Sequence, residues 1–186
     1  MKLLLLVFGM TVLAASAQAQ VVVTEGAGAA RDCYMYARFG REEDKGLKVC
    51  AIALDQGLSV NDRAATFDNR GIILNRLGRF DAAASDFSRA ITLRPDLGDA
   101  YINFGSILIR RKSYEEALVQ INKGMTLGAS FPQFGYYDRA LALELLGRYK
   151  EAYYDYKKAL EIEPNFTLAS DRLKDFTVTT VPARPG

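Results

Sequence analysis

The apolar and small positions of this chain recur in phase. Phe67, Gly71, Leu74, Ala83, Phe87, Ala90 and Pro95 each stand 34 residues before Tyr101, Gly105, Leu108, Ala117, Ile121, Gly124 and Ala129. Tyr136, Ala140, Leu143, Ala152, Tyr156, Ala159 and Pro164 come 35 residues later, with the extra residue fitting the Gly128–Pro132 loop. Self-similarity at such a period marks a stack of like units. Within each unit Gly78-Arg79-Phe80, Lys112-Ser113-Tyr114 or Gly147-Arg148-Tyr149 holds the same phase, small or polar residues leading to an aromatic. That phase predicts the bend of a helical hairpin. Small residues allow the two helices of each hairpin to approach, aromatics fill the space beside the contact, and Pro95 and Pro164 stop the helices before them. Ser113-x-x-Glu116 predicts a capping box on one second helix.

Before the regular array, Ala51-Ile52-Ala53-Leu54 echoes Ala90-Ile91-Thr92-Leu93 and Ala159-Leu160-Glu161-Ile162. Residues 31–55 therefore read as an irregular hairpin, linked by Gln56–Arg63 to the regular repeats. A hairpin buries one face only against its neighbours, so the last one needs a cover. Leu168, Leu173 and Phe176, spaced by polar residues, predict a capping helix over 167–176, and residues 177–186 read as a flexible tail.

The pattern resembles the tetratricopeptide repeat: an aromatic, small residues at two crossing points, an aromatic in the second helix and a closing proline. The likeness covers about Ala64 to Phe166, with departures at Arg70 and Arg139 for Leu, Gly124 for Ala and Ala129 for Pro. It implies an all-α fold, a right-handed α-α superhelix with repeats at 64–97, 98–132 and 133–166, the degenerate hairpin before them and the capping helix after.

At the N-terminus Lys2 precedes an apolar run from Leu3 to Ala15, and Ser16-Ala17-Gln18-Ala19 offers an Ala-x-Ala cleavage pattern. Residues 1–19 are expected to be a secretory signal, residues 20–30 a flexible lead-in, and the mature protein exported, as in a periplasm, without stable membrane insertion. An oxidising compartment favours bridging of an even number of cysteines. Cys33 and Cys50, 17 residues apart, are expected to pair across the first hairpin.

Composition narrows the chemistry. The 186 residues hold no histidine, which removes the imidazole base of Ser-His and Cys-His pairs and the commonest zinc ligand. Two cysteines cannot form a four-thiolate site, and no metal or cofactor is expected. A net charge of +2 gives no nucleic-acid footprint. Gly-x-Ser-x-Gly, Ser-x-x-Lys and phosphate-binding glycine loops are absent, so the expectation is a protein without enzymatic activity. Asn165-Phe166-Thr167 matches a glycosylation acceptor and is read as incidental.

Three groups of residues stand out. Arg70 with Asp86, and Arg139 with Asp155, occupy one pair of repeat positions, and both change together to Phe104 and Gln120 between them. This concerted change predicts salt bridges between the two helices of a hairpin, setting its register; a polar binding site is the alternative. The first helix of each hairpin is expected to line a concave face, bringing Asn69, Asn103 and Asp138 to one row, with Asp68, Tyr137, Ser106, Arg76 and Arg110 in neighbouring rows. Asparagine both donates and accepts, so two of them one repeat apart can bracket a peptide backbone. The resemblance implies this role at Asn69 and Asn103. The lysines of the family's chaperone-tail clamp are missing, their places held by Ala65, Asp68, Ile72, Asp99 and Phe134. Tyr136, Tyr149 and Tyr156 read as core, Tyr137 and Tyr154 as candidate contact residues.

The expected function is an exported adaptor that holds a protein or peptide in its concave groove. The alternative is a structural subunit of an envelope assembly docking by its convex face. A carboxylate-based hydrolase would need two acids ~5–9.5 Å apart, and the groove acids Asp68 and Asp138 lie two repeats apart.

Overall fold

The computed structural model describes residues 25–177, which hold nine α-helices and no strand. They are α1 (Glu25–Phe39), α2 (Glu43–Asp55), α3 (Val60–Arg76), α4 (Phe80–Leu93), α5 (Gly98–Arg110), α6 (Tyr114–Leu127), α7 (Pro132–Leu145), α8 (Tyr149–Ile162) and α9 (Thr167–Leu173). The expected signal sequence and nearly all of the expected tail lie outside the described residues. Three boundaries move from their sequence positions: the capping helix expected over 167–176 ends at Leu173, and two others start early. The lead-in expected over residues 20–30 is helical from Glu25, and α3 starts inside the expected linker, at Val60. There the Ser59 hydroxyl accepts from the Asp62 amide at 3.1 Å and donates to the Asp62 carboxylate at 2.6 Å, an N-cap that makes the earlier start favourable.

The in-phase turns close alike. The amides of Arg79, Ser113 and Arg148 donate back to the carbonyls of Leu74, Leu108 and Leu143, across Gly78, Lys112 and Gly147 at positive φ. This is the Schellman closure, which satisfies the last carbonyls of each first helix. Lys112 takes a φ of 63° there without the freedom of glycine. The capping box at Ser113 does not form: its side chain makes no cap hydrogen bond, because the residue is drawn into that closure instead.

Consecutive helices pack as the hairpins α1–α2, α3–α4, α5–α6 and α7–α8, and each hairpin rests on the next. The first helices α1, α3, α5 and α7 also touch one another in order, whereas no comparable contact joins α2, α4, α6 and α8. Helices that meet on one side and splay on the other curve the stack, with the first helices inside. The core runs through the stack as linked clusters: Cys33, Cys50 and Ile73; Leu74, Ala83, Phe87 and Ile107; Leu108, Ala117, Ile121 and Ala142; then Ala140, Tyr156, Ala159, Phe166 and Ala169. Leu173 and Phe176 pack on the last cluster as the expected cover, while Leu168 is half exposed. Tyr149, expected in the core, is 61% exposed, and Tyr136 is half-buried; of the three only Tyr156 is fully enclosed.

The close approach between backbones is at one crossing. A Cβ on Gly124 would stand 2.5 Å from the Gly98 carbonyl oxygen, and one on Gly98 would stand 2.6 Å from that of Gly124. At Gly71 the missing Cβ makes room for the Phe87 ring, and at Gly105 chiefly for the Ile121 side chain, with the Ala117 carbonyl oxygen 3.3 Å away. Gly124→Ala is therefore expected to force α5 and α6 apart and cost about 1–3 kcal/mol, read as a lower urea midpoint. An unchanged midpoint would show that this crossing relaxes freely.

Candidate functional site

The inner surface is built from the first helices, and the residues expected there take different roles. Asp68 on α3 is 7% exposed and accepts from the Asn103 side-chain amide on α5 at 2.9 Å. Asn103 is thus tied into the seam between two hairpins instead of standing free. The Ser106 hydroxyl donates to the Asn103 carbonyl on its own helix. Tyr137 is half-buried, its ring against those of Tyr156 at 5.7 Å and Phe166 at 5.5 Å, so it serves the last hairpin and its cover. Arg76 donates to the Tyr36 carbonyl, holding the end of α1. Asn69, Asp138 and Arg110 make no side-chain hydrogen bond to other described residues, and the Arg110 guanidinium lies over the Phe80 ring at 5.0 Å.

Electrostatics set two carboxyls apart. Burial pushes Asp68 up to about 7, opposed by the Asn103 hydrogen bond and aided by the Asp99 charge. Burial also pushes Asp138 up to about 7, with Arg110 pulling it back. For a carboxyl raised in this way the folded state binds more protons than the unfolded state between pH 4 and 7. Its contribution to stability is then largest at low pH, falls as pH rises through that window and is level above it. Asp68→Asn keeps the acceptor for Asn103 and removes the charge. It is expected to raise the melting temperature at pH 8, by about 2 kcal/mol in stability, and to leave it nearly unchanged at pH 4. A variant equally stable or weaker at pH 8 would contradict the assignment.

The inner face is bridged at one place that sequence reasoning missed. The Arg38 guanidinium, at the end of α1, lies 4.4 Å from the centre of the Phe131 ring, just ahead of α7. The first hairpin therefore touches the segment that leads into the fourth, and this contact spans the inner side of the stack. Nothing in the local sequence of either residue signals a contact between segments so far apart. Phe131, Phe134 and Phe166 continue from there as edge-to-face neighbours at 6.4 and 5.1 Å.

The outer face carries the salt bridges. Arg70 grips Asp86 through Nε at 2.6 Å and Nη2 at 2.8 Å, and Arg139 grips Asp155 at 2.7 and 2.8 Å. Arg139 also donates to the Asn122 side-chain oxygen at 2.9 Å. Both pairs join the helices of one hairpin, and each floors a cleft left by the splay of the second helices. One cleft, of about 420 Å³, includes Leu118, Arg148, Glu151 and Tyr154; the other, of about 380 Å³, includes Leu47, Ser85 and Arg89. Between them Phe104 takes the place of the arginine and packs into both adjoining core clusters. On the first hairpin Cys33 and Cys50 are joined by a fully buried disulfide with their Cα atoms 4.8 Å apart. Among the described residues no group of acids and cysteines is placed to hold a metal ion, and no helix is long and apolar enough to cross a membrane.

Comparison with known proteins decides the family. The Tetratricopeptide repeat family matches residues 69–130 and again residues 134–166. The chain is a tetratricopeptide repeat protein. Such repeats are protein–protein interaction modules, and solved structures agree on the fold. PilW, a widely conserved type IV pilus biogenesis factor, superposes with a TM-score of 0.69 at 20% identity, over 80% of this chain and 67% of its own. MamA from Desulfovibrio magneticus RS-1 gives 0.61 at 19% identity, over 80% and 82%. The first tetratricopeptide domain of Spaghetti (RPAP3), bound to the HSP90 peptide SRMEEVD, gives 0.56 at 24% identity, over 61% and 90%.

Proposed function

We propose that this tetratricopeptide repeat protein is an exported, non-catalytic adaptor of the cell envelope that holds a protein segment in the hollow of its first helices. The observation that carries the reading is the contrast between the two faces. The inner helices converge and present Asn69, Asp138 and Arg110 without side-chain hydrogen bonds to other described residues, Arg110 resting over the Phe80 ring and facing Asp138, while the outer salt bridges satisfy one another. The peptide-bound RPAP3 domain shows that a related stack holds a peptide. Export rests on the charged and apolar leader over residues 1–19 and on the Cys33–Cys50 bridge, which persists in an oxidising compartment. The pilus role of PilW points the same way.

A specific observation favours the second reading, docking by the outer face. Val119 and Tyr154, on α6 and α8, are 64% and 59% exposed, and Tyr154 lines the larger cleft. Photo-crosslinking residues placed at Arg110 or at Val119 in the native envelope separate the two. The groove reading expects capture of one partner from position 110 and none from 119. Capture from 119 alone would replace it with the outer-face reading, and a mature protein that still begins at Met1 would end the export proposal.

A further inference from the structure

We propose that Asp68 is a specificity-determining residue of the groove, orienting Asn103 so that the hollow selects a segment bearing lysine or arginine. This rests on the groove reading above and names the class of its ligand. Asp68 is buried at the α3–α5 seam, and its one hydrogen bond to a described side chain comes from Asn103. An ionised carboxylate only accepts hydrogen bonds, so the Asn103 NH2 group must face inward to Asp68. The Asn103 side-chain oxygen then faces away from Asp68. Asp68 takes one of the two N–H donors, and the bond fixes the direction in which the Asn103 oxygen is offered as an acceptor.

The surroundings reinforce that polarity. Asp99 on α5 is the charged group facing Asp68, and it accepts from the Ser130 amide and hydroxyl at 2.9 and 2.6 Å. Asp138 on α7, in the repeat position matching Asn103, is faced by Arg110 on α5 and hydrogen-bonded to no described residue. No lysine or arginine among the described residues forms an ion pair with Asp68, Asp99 or Asp138, whereas Asp86, Asp155 and Glu144 each have an arginine. A buried carboxylate without a cation is the costly state, and a cationic side chain brought by a ligand relieves it. An acidic segment would meet the Asp68 carboxylate and the oxygen of Asn103, whereas Asp138 already has Arg110 facing it.

The test is selection of a random peptide display library on the full-length protein and on its Asp68→Asn and Asn69→Ala/Arg110→Ala variants, then affinity measurement of one selected peptide against pH. The wild type is expected to enrich lysine and arginine over aspartate and glutamate. Binding should strengthen several-fold as pH rises from 6 to 8 and Asp68 ionises. In Asp68→Asn the Asn103 amide is free to turn, so the enrichment is expected to vanish and the pH dependence to shrink to the part carried by Asp138. Thermal denaturation checks that each variant is folded, and charge preference is a readout that a merely structural role of Asp68 would leave unmoved. Enrichment of acidic peptides, or an identical charge preference in Asp68→Asn, overturns the polarity assignment and leaves the groove intact. Recovery of the same peptides by Asn69→Ala/Arg110→Ala with unchanged affinity, or no enrichment by any form, overturns the groove reading and this proposal with it.

Discussion

Arg139→Phe is expected to lower stability by about 2–4 kcal/mol, whereas Arg139→Phe combined with Asp155→Gln should cost about 1 kcal/mol. The chain has itself made this pair of changes one repeat earlier, where Phe104 and Gln120 stand in the corresponding positions and Phe104 joins two core clusters. The asymmetry arises from where the charges sit. The Asp155 side chain is 12% exposed and both its oxygens are held by Arg139, while the arginine keeps 26% exposure and a further bond to Asn122. Removing the arginine leaves an acid enclosed without a counter-charge. Removing both leaves a slot that a ring fills. The pairing is also felt by Arg139, whose guanidinium is held above its usual range first by the hydrogen bond to Asp155. Urea denaturation of the wild type, the two single variants and the double variant completes the cycle. A coupling energy near zero would remove the pair as the device that sets the hairpin's register.

The second large effect belongs to the disulfide. Replacing Cys33 and Cys50 together by alanine is expected to cost about 3 kcal/mol, the chain-entropy value for a loop of this size. The loss should fall first on α1 and α2. Among the described residues this hairpin is the first of the stack and rests on one neighbouring hairpin, so it depends on its own contacts and one interface. Because α1 also carries Arg38 to Phe131, its loosening should release the bridge across the hollow as well. Hydrogen exchange read by mass spectrometry is expected to show protection falling in α1 and α2 before α5 to α8. Uniform loss along the whole chain, or none, would contradict the picture of a stapled end unit.

The features legible in the sequence owe that to locality and repetition. The turns at Gly78, Lys112 and Gly147 and the small positions at Gly71, Gly105 and Ala140 are in phase because each unit meets its neighbour in the same way, so one unit explains the next. The concerted change from Arg70–Asp86 to Phe104–Gln120 and back marks a contact in the sequence itself. Departures from the repeat are harder to read. Ser59 caps α3 outside the phase of the array, and Ser113 is drawn into the turn closure, although its motif alone predicts a cap. Tyr149 shares its phase with half-buried Phe80 and Tyr114 but lies on the outer surface, since α8 has no further second helix beside it. The groove is the least legible part. Asn103 is expected to stand free because its row is polar, yet its partner Asp68 comes from the preceding repeat. The Arg38–Phe131 contact depends on the curvature of the whole stack, which no single unit encodes.

If recognition belongs to the hollow formed by the converging first helices, a bound segment must shield those helices and no others. The most direct test is amide hydrogen exchange of the protein with and without the segment captured from the envelope. Slowed exchange confined to α1, α3, α5 and α7, with α2, α4, α6 and α8 unchanged, is the predicted result. Slowed exchange along α4, α6 and α8, with the inner helices unaffected, would contradict it.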